Sequence, residues 1–291
     1  MSDLNFLDTS GNKQTITVPA TNSMAFNTAN TERLRIDPSG RLLIGTQSTS
    51  DNAFLVVKGN VTGSGQQGEV LLLNGANPIE QNYGLGQITF GGGTGDQVSS
   101  KIQGFADHDW NTGGDSTDSP GRIVFFTTPD GSATPTEKLR ISSEGFVTKP
   151  HHPSFRATRE GSEITHSAQA IQQWNTVSGA NRSFDRYTTG GYGFNTSTHK
   201  YKVPVTGVWY FHAAVYTNTG YSCMFDIRTS SQLLQRAEDN SGSNMPNNNI
   251  VHASCVVTCN KDDEVYVNQS GGQGKLIAGQ GYISFDGHFI G

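Results

Sequence analysis

The chain has little charge, few cysteines and no long apolar run, and each shortage removes a class of protein. Charged side chains make up 15% of its 291 residues, well below the roughly 25% of an average globular chain. The 25 acidic and 20 basic groups are spread along the sequence and leave a net charge of −5. There is no basic stripe to follow a phosphate backbone, so nucleic-acid binding is not expected. No apolar stretch approaches the about 20 residues that cross a bilayer, and the opening MSDLNFLDTSGNK lacks the apolar centre of a signal peptide. Membrane insertion is not expected, and synthesis in a cytoplasm fits. Cys223, Cys255 and Cys259 are the three cysteines, too few for a disulfide framework. Cys255 and Cys259 would stand about 13 Å apart along a strand, too far to pair, so buried free thiols are expected.

Amphipathic helical patterning is missing as well. What is present is glycine, 35 residues of it, together with much Ser, Thr and Asn and short stretches of period-two alternation. That combination predicts an all-β chain rich in turns, and the length suggests about two domains.

The most informative feature is a repeat. Thr31-Glu32-Arg33-Leu34-Arg35-Ile36 recurs as Thr136-Glu137-Lys138-Leu139-Arg140-Ile141, and each copy runs into a turn at Gly40 or Gly145. Alternation with period two predicts a strand, with Leu34 and Ile36 on one face and Arg33 and Arg35 on the other. A hairpin this small is only marginally stable, so its apolar side needs neighbours. Between the copies, FLVVKG, EVLLLNG, LGQITFGGG, SKIQGFAD and GRIVFFTTPDG read as further strands. After the second copy, Pro150 and Pro153 mark a boundary, because prolines favour extended chain and donate no ladder hydrogen bond. The divisions are residues 1–50 with the first repeat, 51–149 ending in the second, and 150–291.

The repeat resembles the recurrent strand-turn unit of bacteriophage tail fibres, in which three chains wrap together. The resemblance implies that residues 1–50 attach to a tail or baseplate virion protein and that residues 51–149 form a β-structured shaft or knob.

The last segment carries a longer resemblance. Phe194, Tyr201, Pro204, Gly207 and Val208-Trp209-Tyr210-Phe211, then Val256, Asp263-Glu264-Val265 and the closing Phe285-Asp286-Gly287, are similar to the complement globular-head (C1q) domains and their tumour necrosis factor relatives. Two features depart from the pattern: Asp262 stands where the family usually has glycine, and there is no collagen stalk. The implied fold class is all-β: a trimeric fibre shaft followed by a ten-strand jelly-roll head.

The residues themselves support that reading. In Val208–Thr217, Trp209, Phe211, Ala213 and Val215 make one wholly apolar face, while Val208, Tyr210, His212, Ala214 and Tyr216 make a semi-apolar one suited to another chain. The split recurs around Val251–Val257, with His252 on the less apolar side, and around Ile283–Phe289, with Tyr282 and His288. By the family's strand order, Tyr210, His212, Tyr216, His252, Tyr282 and His288 are the expected trimer-interface residues. The simplest role for the histidines is as ordinary interface hydrogen-bond partners; a proton-sensitive seam or a metal site are the alternatives. His151 and His152 fall where three chains would converge, and read as linker residues ahead of a metal-binding ring.

Catalytic groups are not expected, nor is any cofactor or resident metal. There is no nucleophile elbow, phosphate loop or zinc-ligand pair. Asp107, Asp109, Asn111, Asp115 and Asp118 place oxygen side chains at positions 1, 3, 5, 9 and 12 of a loop, as in calcium loops. Thr112 replaces the needed glycine and no helices flank it, so a turn pinned by Trp110 is the expectation. The same aspartates are poor candidates for the two carboxylates about 5 to 9 Å apart that glycosidases use.

A compact head on a stalk implies adhesion. Counting antiparallel strands back from Gly291 puts residues 217–222, 237–249 and 270–280 at the tip. Asn218, Tyr221, Asn244, Asn247, Asn248 and Lys275 are the expected receptor-binding residues, offering amide, phenol and ammonium groups to a host glycan or protein. The expected function is a homotrimeric tail fibre of a virion, made in the host cytoplasm, that binds the host surface. The alternative is a purely structural fibre or collar component.

Overall fold

The computed structural model describes residues 4–7, 13–19, 22–29, 31–50, 52–59, 67–95, 97–110, 118–177, 183–217, 221–239, 249–277 and 283–291. Those residues form strands, turns and one 3-10 turn at Thr189–Gly191, so the all-β expectation holds.

The first sheet is a meander of β1 (Leu4–Leu7), β2 (Lys13–Thr17), β3 (Met24–Thr28), β4 (Thr31–Ile36) and β5 (Leu42–Ile44), closed by β6 (Leu55–Val57), which pairs parallel to β5. The second contains β7 (Gly84–Gly92), β8 (Gln97–Ala106), β9 (Gly121–Thr127), β10 (Thr136–Ile141) and β11 (Val147–Thr148), each antiparallel to the next. Of the strands expected from sequence, EVLLLNG is the exception: residues 69–75 form none, and Val70, Leu71, Leu72 and Leu73 are all exposed.

The two repeat copies, β4 and β10, fold alike in a way that simple alternation misses. The register slips at Arg33 in β4 and at Lys138 in β10, so each strand carries a bulge that leaves one extra residue unpaired. The bulge brings residues three apart, which a regular strand would send to opposite faces, onto one face. There Arg35 meets Glu32 and Arg140 meets Glu137, each through two hydrogen bonds. Both copies then turn through a left-handed glycine, Gly40 (φ 78°) or Gly145 (φ 84°), the conformation that glycine adopts without a Cβ penalty. Arg33 and Arg35 therefore do not share an environment: Arg33 is exposed and Arg35 half-buried.

The third assembly contains β12 (Ser154–Ala157), β13 (Ile164–Ser167), β14 (Phe184–Asp185), β15 (Gly193–Asn195), β16 (Lys200–Lys202), β17 (Gly207–Thr217), β18 (Cys223–Arg228), β19 (Leu233–Asp239), β20 (Ile250–Cys259), β21 (Glu264–Leu276) and β22 (Phe285–Phe289). One layer runs β14-β12-β22-β17-β20; the other joins β19-β18-β21, with β13, β15 and β16 completing it. The two meet where β21 also pairs with the end of β17, at Tyr216 and Thr217. The result is a jelly roll, as expected; among the described residues it contains eleven strands, a count that includes short pieces such as two-residue β14.

Its core is aromatic. Phe155 stacks on Tyr201 at 4.1 Å and meets Phe285 edge-on at 5.0 Å, while Trp209 stacks on Phe211 at 5.9 Å. Burying one such side chain contributes about 1.5–3 kcal/mol, and the ring pairing adds about 0.5–1.5 kcal/mol. Gly287 belongs to this cluster by necessity, since a Cβ there would lie 2.5 Å from the Phe155 ring and 2.7 Å from that of Phe211. Asp262 adopts φ 75°, so the aspartate takes the left-handed turn that glycine would otherwise supply. Its carboxylate pairs with Lys202 at 3.1 Å.

Candidate interface and binding surface

Strand β17 sorts its side chains cleanly between two faces. Trp209, Phe211, Ala213 and Val215 are buried, Tyr210, His212 and Tyr216 are half-buried, and Val208 is exposed. Ala214, expected on the outward face, is fully buried where its N–H donates to the Ser284 carbonyl at 2.9 Å.

The outward face is organised in cross-strand rows. In one, Ser154, His288, Tyr210 and Val256 stand opposite one another. The Tyr210 and His288 rings lie 5.0 Å apart, and Val256 is 64% exposed, an apolar side chain turned to solvent in mid-strand. In the neighbouring row, Arg156 faces Asp286, and Asp286 faces His212. Asp286 accepts from Arg156, from the Ser284 hydroxyl and from His212 Nδ1 at 3.2 Å. Burial pushes the Asp286 carboxyl up, but hydrogen bonds from His212, Ser284 and Arg156 and the guanidinium charge outweigh it, so it titrates below the ordinary carboxylate range. His212 Nε2 lies 3.3 Å from His252 Nδ1. Burial, and then the neighbouring His212, lower the pKa of His252.

Of the six residues expected at a chain interface, Tyr210, His212, Tyr216, His252 and His288 share this layer, with His252 and His288 exposed; Tyr282 lies outside the described residues. Arg156 and Ser284 were missed in the sequence. The alternation of Ser154-Phe155-Arg156-Ala157 carried a usable signal, because it sends Arg156 to the same side as Asp286.

At the opposite end of β17 from Gly207, Tyr221 is exposed and Lys275 is bound through its ammonium group to Glu163 at 3.0 Å. Asn218, Asn244, Asn247 and Asn248 lie outside the described residues. The six expected receptor-binding positions are therefore described at these two alone, and Lys275 is already ion-paired.

Elsewhere, the oxygen-rich loop is committed internally. Asp107 accepts from Arg122 at 3.0 Å and from the Ser143 N–H and hydroxyl at 2.9 Å each. The Ser143 N–H bond is the strongest influence holding its carboxyl below the usual range, ahead of the opposing effect of burial. Asp109 accepts from the Gln81 N–H at 2.6 Å, and the Trp110 indole donates to the Pro120 carbonyl at 3.1 Å. Asn111, Thr112 and Asp115 lie outside the described residues. A groove of about 960 Å³ runs along β7 and β8, and Lys101 is the one ionisable side chain lining it among the described residues, so it presents no acid and base pair. His152 Nε2 lies 2.7 Å from the Phe289 carbonyl oxygen, while His151 is exposed.

The two-layer roll, with β17 paired to β20 and β22, leads to a comparison with known proteins. Residues 167–290 match the C1q domain. No curated protein matches the chain. Solved structures similar to this chain include an Eiger TNF from S. frugiperda, at 12% identity over 49% of this chain and 94% of that one, with a TM-score of 0.38. The globular domain of a zebrafish complement 1qA protein is similar at 18% identity over 48% and 98%, with a TM-score of 0.30. Murine APRIL, crystallised at pH 5.0, is similar at 13% identity over 47% and 96%, with a TM-score of 0.31.

Proposed function

We propose that the protein is a homotrimeric bacteriophage tail fibre whose C1q-type head binds the host cell surface. Residues 1–50 attach it to a tail or baseplate protein, residues 51–149 continue the shaft, and residues 150–291 form the head. In the trimer the face of Tyr210, His212, Tyr216, His252, Tyr282 and His288 meets neighbouring copies. The loops holding Asn218, Tyr221, Asn244, Asn247, Asn248 and Lys275 reach a host glycan or protein. The protein is made in the host cytoplasm and resides in the virion.

The observation carrying this reading is the set of exposed apolar side chains along residues 54–147, in the strands and in the segments that join them. Phe54, Leu73, Ile88, Phe90, Phe146 and Val147 are all more than half exposed, a pattern that soluble monomers avoid and that wrapping by identical chains relieves. The duplicated bulge-and-turn unit supports it, since a fibre is built by repeating one short motif. Three heads on one fibre make the second and third receptor contacts intramolecular, so weak single-site binding suffices.

The test uses the full chain. Light scattering gives its mass at micromolar concentration, and a monomer would sink the assembly. Labelled trimer is then applied to infectible cells beside a trimeric variant with Tyr221, Asn247 and Asn248 changed to Ala. Binding lost in the variant supports a receptor-reading tip. No binding by the unaltered trimer to any infectible host replaces this reading with a structural fibre or collar component.

A further inference from the structure

The row Arg156, Asp286, His212, His252 has a geometry that ordinary interface hydrogen bonding does not require. His212 sits on the central strand β17, with Asp286 directly opposite on β22 and Ser254 directly opposite on β20. His252 stands opposite Ala214, the diagonal neighbour of His212, within reach of a long side chain. The two rings lie nearly parallel, 28° apart, with centroids separated by 5.5 Å.

The facing nitrogens, His212 Nε2 and His252 Nδ1, are 3.3 Å apart. Two imidazole nitrogens on one tetrahedral zinc ion, each bonded at about 2.0–2.1 Å, stand about 3.3–3.4 Å from each other. A proton shared between two neutral rings and a metal ion bound by both thus call for the same spacing. The other nitrogen of His212 meets the Asp286 carboxylate at 3.2 Å. Since the carboxylate accepts, Nδ1 carries the hydrogen and the Nε2 lone pair is directed away from Asp286. Histidines that bind metals almost always give their second N–H to such an acceptor, which fixes tautomer and ring orientation. Asp286 is itself held by Arg156 and Ser284, and the Arg156 and Asp286 charges offset each other beside the two imidazoles.

We propose that His212 and His252 are a chelating pair for a divalent transition-metal ion of the zinc type, with Asp286 positioning His212. Among the described residues no group of three or more His, Cys, Asp or Glu side chains is placed to hold a metal. The remaining coordination positions therefore fall to water or to a neighbouring copy. Imidazole pairs suit zinc, copper and nickel, and not the oxygen-seeking calcium and magnesium.

The experiment is a calorimetric titration of the full chain with zinc chloride at pH 7.5, repeated with magnesium chloride. Zinc is expected to bind and magnesium not. His212→Gln, which keeps a polar side chain beside Asp286, and His252→Ala are each expected to weaken zinc binding at least tenfold. His108→Ala, at an exposed histidine outside residues 150–291, is expected to leave it unchanged. Thermal unfolding of metal-free samples identifies variants that remain folded. No zinc binding by the unaltered chain, undiminished binding by either folded pair variant, or equal loss in His108→Ala would each overturn the assignment.

Discussion

Residues 154–289 and residues 4–148 use the same local pattern and reach opposite outcomes. Both alternate apolar and polar side chains along short strands. In the head, two layers face each other, and Phe155, Trp174, Tyr201, Trp209, Phe211, Phe225 and Phe285 disappear between them. Among the described residues of 4–148, the buried apolar side chains are Ala25, Leu43, Ile79, Ala106 and Val124, with no aromatic among them. A single sheet has no second layer to bury its apolar face against. Polar clamps stand in for part of the missing core: Arg35 with Glu32, Arg41 with Asp37, Arg122 with Asp107, and Arg140 with Glu137. Alternation thus specifies which side chains share a face, and the partner layer decides whether that face becomes a core.

The strongest way to break this contrast is Phe211→Ala. Removing a ring from a filled aromatic cluster costs about 3–5 kcal/mol. Guanidinium unfolding followed by tryptophan emission is expected to show the transition sensed by Trp174 and Trp209 moving to lower denaturant. An unmoved midpoint would mean that the aromatic cluster is not what holds the head.

Acid offers a second test of the head's dry interior. His166 is buried, its Nε2 accepts the Gln173 N–H at 3.2 Å, and its Nδ1 has no partner. Burial, with Arg159 and His199 nearby, pushes its pKa down to about 4. An unfolded imidazole titrates near 6.5, so between about 6.5 and 4 the unfolded chain binds the proton and the folded chain resists it. Stability from this group is full above the unfolded pKa and falls with pH through that window, by up to about 3 kcal/mol. Urea midpoints at pH 7 and pH 5 measure the loss, and His166→Gln is expected to reduce the difference between them.

Gly287→Ala is expected to cost about 1–3 kcal/mol by forcing the Phe155 and Phe211 rings apart, read as a lowered thermal midpoint. The smallest effects should lie in the repeats. Glu137→Gln is expected to cost under about 1 kcal/mol, because its pair with Arg140 is partly open to water. Glu32→Gln should cost more, since its pair with Arg35 is more enclosed. Equal costs in a chemical-denaturation comparison would show that enclosure does not separate the two copies.

Much of the head was legible because its signals are local. The buried face of β17 follows from alternation; outside the head, β8 and β9 follow from their apolar content. Asp262 stood out as a departure from the glycine of the resembled family, but that it keeps the left-handed turn, at φ 75°, was not visible. Nor were the bulges at Arg33 and Lys138, because a bulge is a mismatch between two strands and one strand's sequence does not display it. Val70 to Leu73 read as a strand from composition, yet no ladder pairs it. The His212, His252 and Asp286 row depends on the registers of β17 with β20 and with β22, which unite residues 40 and 74 positions away from His212. Alternation indicated the face those residues occupy, but not which of them touch.

Entry of the chain into the head has a mechanical consequence. β12 lies between β14 and β22, and Ser154, Phe155, Arg156 and Ala157 pair in unbroken register with His288, Gly287, Asp286 and Phe285. The Phe289 N–H adds a bond to the Pro153 carbonyl at 3.0 Å. Hydrogen bonds between antiparallel strands run perpendicular to the strand axis. A tug on the chain along β12 therefore loads these bonds together, in shear, instead of peeling them apart one at a time. The connection into the head is a lap joint, strongest along the axis of β12.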